Sequence, residues 1–354
     1  MRIFTDPHIG RRAGAHTSHE SSTWLDSAIH SNALTASATN DTVVCVGDLF
    51  DKSHNKEVDL LKGLEVAEQC DLILAGNHDL SNRDNTKTSI EVVEEVHSNL
   101  CRAKVNEVLI DHHEDDEGVT FSIIPHHSSQ DLFDQAIKKA CENPIGGDLG
   151  KQDIIFLHCN FNNPFAQNDA SLNLSTEQAA ALLECYKYIV MGHEHNHRWE
   201  MGGRLLICGN THPTSFGDIG DKFYWDYTVD GGFTKTKIWD KATNYIKMPV
   251  RELLEFNLSA FGDSAEFHEL NFIEIYGEEV EPELAPEISQ AMADIWQHSE
   301  STLYMVRNNV KFKQLVAATV DEGVQLEDVT KAITSDLADT DLSELWLEHL
   351  GRTQ

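Results

Sequence analysis

Five short apolar runs, each handing Asp, His or Asn to its carboxyl end, constrain this chain more than any other feature. Residues 71–79 read D-L-I-L-A-G-N-H-D: a run of strand length ends at Gly76 and then presents Asn77, His78 and Asp79 in succession. Residues 1–4 run into Asp6 and His8, residues 42–46 into Asp48 and Asp51, residues 154–157 into His158, and residues 188–191 into His193 and His195. In open α/β sheets ligands sit in the crevice beyond the carboxyl ends of the strands, so side chains far apart in sequence converge there.

Between these runs the period changes. Residues 22–36, with Trp24, Leu25, Ile29 and Leu34, and residues 89–100, with Ile90, Val93 and Val96, follow the 3.6-residue spacing of helices that cover a sheet. Ser175 and Gln178 have capping-box spacing and predict a helix through Leu183. From Arg204 the pattern becomes consecutive strands at 204–208, 222–229 and 234–239, with Asp230, Gly231 and Gly232 as a turn. Alternation first and hairpins later predict an α/β fold: two packed mixed β-sheets flanked by helices in a four-layer sandwich over residues 1–248. Near Pro249 the pattern changes again. A strand at 271–276, a helix at 282–298 and a strand at 302–306 predict a small α+β cap over 249–315. Two short amphipathic helices, striped by Leu326, Val329 and Ile333 and by Leu342, Leu345 and Trp346, predict a helical tail over 316–354. The Trp346 stripe either binds a partner or folds back onto the cap. The first strand is short, which predicts an insecure edge.

Composition narrows the function. A formal net charge of -32 argues against a protein that grips nucleic acid with its own basic surface. Half of the excess lies in residues 251–354, which hold 22 acidic and 6 basic residues. That acidity fits solubility or a saline host as well as repulsion from DNA. Seven scattered cysteines without a C-x-x-C pair fit a reduced, cytoplasmic interior. Neither a secretory leader nor an apolar run of about 18 residues is visible, so a soluble protein without membrane contact is expected.

Asp, His and Asn at converging strand ends are hard or borderline ligands suited to Mn²⁺, Fe²⁺ or Zn²⁺. One carboxylate shared by two cations would hold them about 3.5–4 Å apart, as in two-metal hydrolases, where metal-bound hydroxide attacks a phosphoryl group.

The ordered series D-P-H at 6–8, G-D-L-F-D at 47–51, G-N-H-D at 76–79, lone His158 and G-H-E-H at 192–195 resembles the calcineurin-like metallophosphoesterases over roughly the first 240 residues. The resemblance implies one metal on Asp6, His8, Asp48 and His195 and a second on Asp48, Asn77, His158 and His193, bridged by Asp48. It implies that His78 faces the scissile phosphate and that Asp51 and Asp79 orient ligands. Pro7 stands where the family usually has an aromatic residue.

Within the superfamily, G-N-T-H-P-T-S-F at 209–216, together with D-P-H-I-G and G-D-L-F-D, is similar to the SbcD-type nuclease subunit. That likeness implies two divalent ions, Mn²⁺ foremost with Fe²⁺ or Zn²⁺ as alternatives. It also implies exonuclease or endonuclease action on DNA ends in repair or recombination, an SMC-like coiled-coil ATPase of the SbcC type as partner, and a homodimer. Two other readings stand beside it: a stand-alone phosphoesterase for a nucleotide or other small phosphoester, and a metal-free scaffold, which the complete ligand set opposes. His54, His126, His127, His197 and His212 are expected to be surface or hydrogen-bonded histidines, with His197 and His212 best placed to touch substrate. Arg83 is either a phosphate contact or a solvated loop arginine, and Cys159 is expected to be buried as a small apolar residue.

Overall fold

The structure, a computed structural model, describes residues 1–12, 19–80, 87–142, 151–163, 171–218, 220–238, 242–255, 269–297 and 303–313. The tail helices and Arg83 lie outside the described residues. In chain order, the first part alternates strand and helix: β1 (Arg2–Phe4), α1 (His19–Ser37), β2 (Val43–Cys45), α2 (Glu57–Glu68), β3 (Leu72–Leu74), α3 (Ser89–Val96) and β4 (Leu100–Cys101). A second set follows: β5 (Asp111–Glu114), β6 (Thr120–Ile124), α4 (Gln130–Glu142), β7 (Gln152–His158), β8 (Asn160–Phe161), β9 (Asn173–Leu174), α5 (Thr176–Cys185), β10 (Tyr186–Gly192), β11 (Arg198–Glu200) and β12 (Leu205–Ile207). The hairpin β13 (Phe223–Thr228) and β14 (Gly232–Lys237) comes next, then β15 (Ala242–Pro249), α6 (Val250–Glu255), β16 (Glu269–Val280), α7 (Ala285–Gln297) and β17 (Leu303–Phe312).

Two six-stranded mixed sheets result, ordered β14-β13-β1-β2-β3-β4 and β11-β12-β10-β7-β6-β5. Their central strands are parallel and buried on both faces, which is why they read as continuous apolar runs. Ile3, Val44, Val46, Leu74, Ile123, Phe156, Val190, Leu206 and Trp225 fill the space between the sheets. Leu25, Ile29, Val66 and Val93 of α1 to α3 cover the outer face of the first sheet with Phe4 and Ile73, and Phe133, Ile137 and Leu182 of α4 and α5 cover the second with Leu157 and Ile189. The layers are therefore helix, sheet, sheet, helix, as expected from the sequence.

Several expectations need correction. β1 is short but is not an edge: it pairs with β2 on one side and β13 on the other, and Arg2 adds a 2.9 Å ion pair to Asp226. The helix expected over 89–100 stops at Val96, because His97 turns to extended backbone and Leu100–Cys101 is drawn into the first sheet beside β3. At its other end Thr88 and Glu91 form a capping box that the sequence reading passed over, whereas the one at Ser175 and Gln178 is present as expected. A three-stranded sheet, β15-β16-β17, takes its first strand from residues read as the end of the first domain.

The chain divides into two compact units, Met1–Gly277 with Ala285–Val310, and Glu278–Leu284 with Lys311–Gln354. In the second, Lys311 pairs with Glu278, Lys313 pairs with Glu281, and the Lys313 amide donates to the Val280 carbonyl. All seven cysteines are free, and Cys159 is buried as expected. Among the described residues no helix is long and apolar enough to cross a membrane.

Candidate metal centre

The loops that leave β1 and β2 are zipped together by main-chain hydrogen bonds. Asp6 N donates to Gly47 O (3.0 Å), His8 N to Asp48 O (3.1 Å), Ile9 N to Leu49 O (2.9 Å) and Asp51 N to Ile9 O (3.0 Å). This pairing sustains a strained backbone, with φ at +52° for Asp6, +50° for His8 and +49° for Asp48, a region that non-glycine residues rarely enter. His193 adds a fourth case at +87°. Strain of this kind persists only where the surroundings over-determine it, and it clusters at functional sites.

The five strand ends meet. Asp6, buried, accepts the His193 amide at 3.1 and 3.0 Å on its two oxygens and the Thr5 hydroxyl at 2.6 Å. His8 and His195 bring their Nε2 atoms to 3.0 Å, and Asp6 completes a group able to hold one cation. A second such group joins Asp48, His158 and His193, and Asn77 Oδ1 lies 3.2 Å from His158 Nε2 and 2.8 Å from His193 Nδ1. Asp48 Oδ2 stands between the groups, 3.9 Å from His8 Nε2 and 3.3 Å from His158 Nε2.

The chemistry of this donor set fits divalent cations. His158 Nδ1–H donates to the Val46 carbonyl (2.9 Å), which fixes Nε2 as the lone-pair atom facing two oxygen acceptors, Asp48 Oδ2 and Asn77 Oδ1. Three acceptors converging on one point call for positive charge. In the free protein a proton can serve: burial lowers the affinity of His158 for it, but the charge and hydrogen bond of Asp48, helped by Asp6, overturn that and push its pKa up to about 9. Burial likewise disfavours ionised Asp48, and the histidines around it, His158 first, reverse this and hold it below the usual carboxylate range. Burial keeps His8 and His193 neutral, the state a metal ligand needs, with His193 brought down to about 3. His8 Nδ1 is buried and, among the described residues, has no hydrogen-bond partner.

His78 lies within reach of His8 and Asp48, so geometry alone permits a ligand role as well as the expected one. Its amide donates to Asp48 Oδ1 (2.9 Å), and its Nδ1–H donates to the Asp51 carbonyl (2.7 Å), which leaves Nε2 as the free edge. Asp79 takes three amides on one carboxylate, Gly76 at 2.9 Å, Phe50 at 3.0 Å and Leu49 at 3.3 Å, and so ties two motif loops together. Asp51 accepts Arg11 Nη1 at 3.0 Å.

Sequence reasoning missed Asp218. One carboxylate, 4 % exposed, faces His195 Nδ1 (3.2 Å) and accepts Asn210 Nδ2 (3.0 Å), the Thr214 amide (2.6 Å) and hydroxyl (2.9 Å), and the Ser215 hydroxyl (2.9 Å). Burial opposes its charge, and the His195 bond and charge outweigh it and hold it well below the usual range. In return His195 is raised against its own burial. The available signal was position, two residues past the block at 209–216. Lys222 was missed too: nearly buried, it donates to the His195 carbonyl (3.0 Å), and burial lowers its pKa to about 8.

His212 does not reach the centre: fully buried, it takes Asn32 Nδ2 on Nδ1 (2.8 Å) and donates Nε2–H to the Thr243 hydroxyl (2.7 Å), and burial brings it down to about 3. His197 packs edge-on against Phe223, centroids 4.7 Å apart. His126 comes from a sixth strand end. β6 pairs Ile124 with Leu157 of β7, which sets the buried His126 ring 6.4 Å from that of His158.

A sandwich carrying two Asp–His groups on the carboxyl ends of its parallel strands is that of a metal-dependent phosphoesterase. The family model for calcineurin-like phosphoesterase matches residues 2–197, more than half of the chain, and the chain belongs to that family. A search of curated proteins gives no match.

Proposed function

We propose that this phosphoesterase is a phosphodiesterase of the SbcD type that processes DNA ends with a coiled-coil ATPase. The observation that supports the finer reading is the role of the block at 209–216: Thr214 and, just beyond, Asp218 hold the Nδ1 side of His195, so the segment that resembles the nuclease subfamily is built into the centre. In this reading Asp6, His8, Asp48 and His195 hold one divalent ion and Asp48, Asn77, His158 and His193 the other, with Mn²⁺ foremost. Bound there, the ions supply charge against the phosphoryl oxygens and lower the pKa of water. Asp218, Val46 and Asp6 fix the ligands through hydrogen bonds to His195, His158 and His193. His78, anchored on the Asp51 carbonyl by Nδ1–H, presents Nε2 to the leaving oxygen, to which the doubly protonated ring would pass its Nε2 proton while Nδ1–H stays on Asp51. Asp79 keeps the Asp48 and Asn77 loops in register through its three amide bonds.

The charge of -32 favours a second reading, a stand-alone enzyme for a small phosphoester, because few phosphates of a duplex can be neutralised by this surface. Cleavage of labelled linear, hairpin and single-stranded DNA with Mn²⁺, beside a small diester, decides between them. The nuclease reading expects DNA cleavage at low salt, a steep loss toward physiological salt, and recovery with the ATPase partner. Turnover of the small diester with no DNA cleavage under any condition supports the second reading instead.

A further inference from the structure

Two consecutive arginines follow the first motif, and the fold uses them differently. Arg12 is consumed by structure: Nη1 donates to Asp26 (2.8 Å) and Nη2 to both oxygens of Asp59 (2.6 and 2.8 Å). Arg11 donates Nη1 to Asp51 Oδ1 (3.0 Å) and Nη2, at a long 3.4 Å, to the Thr214 carbonyl, and its side chain is 37 % exposed. A guanidinium has five N–H donors in a planar fork that matches phosphate oxygens. Two are engaged here among the described residues.

Its location is specific. His8 Nδ1 lies 3.8 Å from Asp51 Oδ1, the same oxygen that Arg11 holds, and the Asp51 carbonyl anchors His78. Arg11 therefore sits one carboxylate away from the metal centre, on the His78 side. On its other flank Arg11 holds the Thr214 carbonyl, two residues before Phe216. Tyr245, Phe216 and Phe272 form a half-buried aromatic group with centroids 5.1 to 5.4 Å apart, and Lys247 Nζ stands 5.9 Å from the Phe216 ring. A cation beside aromatic rings is the arrangement that takes the backbone and base of a nucleic-acid strand.

We propose that Arg11 binds the phosphate next to the scissile one, on the leaving-group side, with the Phe216–Tyr245 wall beside the adjoining nucleoside. This inference rests on the phosphodiesterase reading and assigns Arg11 as the residue that favours a strand carrying at least two phosphates over a single diester. A mononucleotide or single diester would leave the subsite unused.

The test compares wild type, Arg11→Gln and Arg11→Lys on trithymidylate and on bis(p-nitrophenyl) phosphate, which has one phosphate. Binding of a fluorescein-labelled phosphorothioate trithymidylate is followed by anisotropy. Thermal melting of each variant checks folding. Arg11→Gln should weaken binding and lower kcat/KM on trithymidylate at least about tenfold more than on the single-phosphate diester, chiefly through KM, with Arg11→Lys between. Equal loss on both substrates would mean that Arg11 acts only through Asp51 and would overturn the proposal, as would trithymidylate binding indifferent to the substitution. A wild type that binds trithymidylate through Arg11 but hydrolyses neither compound would keep the subsite and refute the phosphodiesterase reading.

Discussion

Asp218→Asn tests how the centre holds its histidine. In the native carboxylate, Oδ2 receives Asn210 Nδ2, the Thr214 amide and the Thr214 hydroxyl, while Oδ1 receives the Ser215 hydroxyl and lies 3.2 Å from His195 Nδ1. An asparagine that keeps its oxygen at the Oδ2 position turns its NH₂ toward Ser215 and His195. The serine hydroxyl can rotate and accept. His195 can accept only by moving its proton from Nδ1 to Nε2, the atom that faces His8 Nε2 at 3.0 Å. The substitution thus removes a lone pair from the first ligand group without moving a backbone atom.

Loss of an orienting partner of this kind costs about 10–100-fold in metal affinity, or about 1.4–2.7 kcal/mol. It should fall on one site, with the site at Asn77, His158 and His193 changed far less. One charge-assisted hydrogen bond is also lost from the metal-free fold, about 1.5–3 kcal/mol. The pH profile gives the discriminating sign. His195 is raised by Asp218, so in the wild type the proton competes with the ion up to that raised pKa, and affinity weakens as pH falls through it. In Asp218→Asn the inflection should move to lower pH. Calorimetric titration with Mn²⁺ across pH, with urea unfolding of the metal-free protein, measures all three effects. Two sites filled within twofold of wild type and an unmoved inflection would refute the orienting role, and equal weakening of both sites would point to collapse of the loop.

Asp48→Asn should lose both ions and all turnover, since its carboxylate stands between the two groups; unchanged metal content by elemental analysis would reject the shared-ligand assignment. His78→Ala should keep its metal while losing at least about 100-fold in turnover, whereas parallel loss of metal would make it a ligand. Gly47→Ala should destabilise the fold by more than about 3 kcal/mol in urea melts, because Gly47 has φ +101° and a Cβ there would collide with the His158 ring. Asp153→Asn should cost about 1–2 kcal/mol at neutral pH: burial opposes the Asp153 charge, but Lys187 and Thr120 overcome it and depress the pKa, so the stabilisation is full above the unfolded value and disappears as pH falls through the folded one. An unchanged stability difference down to strong acid would contradict that account.

The sandwich was legible because its parallel strands are buried on both faces and so stand out as apolar runs, whose polar ends all lie at the carboxyl side. What escaped notice has weaker signals. β5 is D-H-H-E, an edge strand with half-exposed His112 and His113, and α4 is an amphipathic helix whose buried Phe133, Ala136, Ile137 and Ala140 include two residues too small to mark a stripe. α3 ended early because pairing of Leu100 and Cys101 with β3 outweighed a continued helical period. Asp218 escaped because its place beside His195 is set by a loop rather than by a strand end. His212 is the hydrogen-bonded histidine expected and not the substrate contact its motif block suggested, because Asn32 of α1 and Thr243 of β15 take both of its nitrogens.

The motifs also explain why glycine precedes the acid or histidine. Gly47 before Asp48 and Gly192 before His193 each sit where one motif loop crosses another strand. A Cβ on the first would strike His158, and a Cβ on the second would strike the Val46 carbonyl, which itself accepts His158 Nδ1–H. Both glycines therefore guard the position of the same ring. With Asp48 and His193 themselves held at positive φ, the backbones of β2 and β10 approach His158 from two sides and leave its imidazole little room to rotate. The ring orientation at the second ligand group is thus set by main chain, and the orientation of His195 at the first is set by the Asp218 side chain. Substitutions around the first group should tune affinity by degrees, and substitutions around the second should act through the fold.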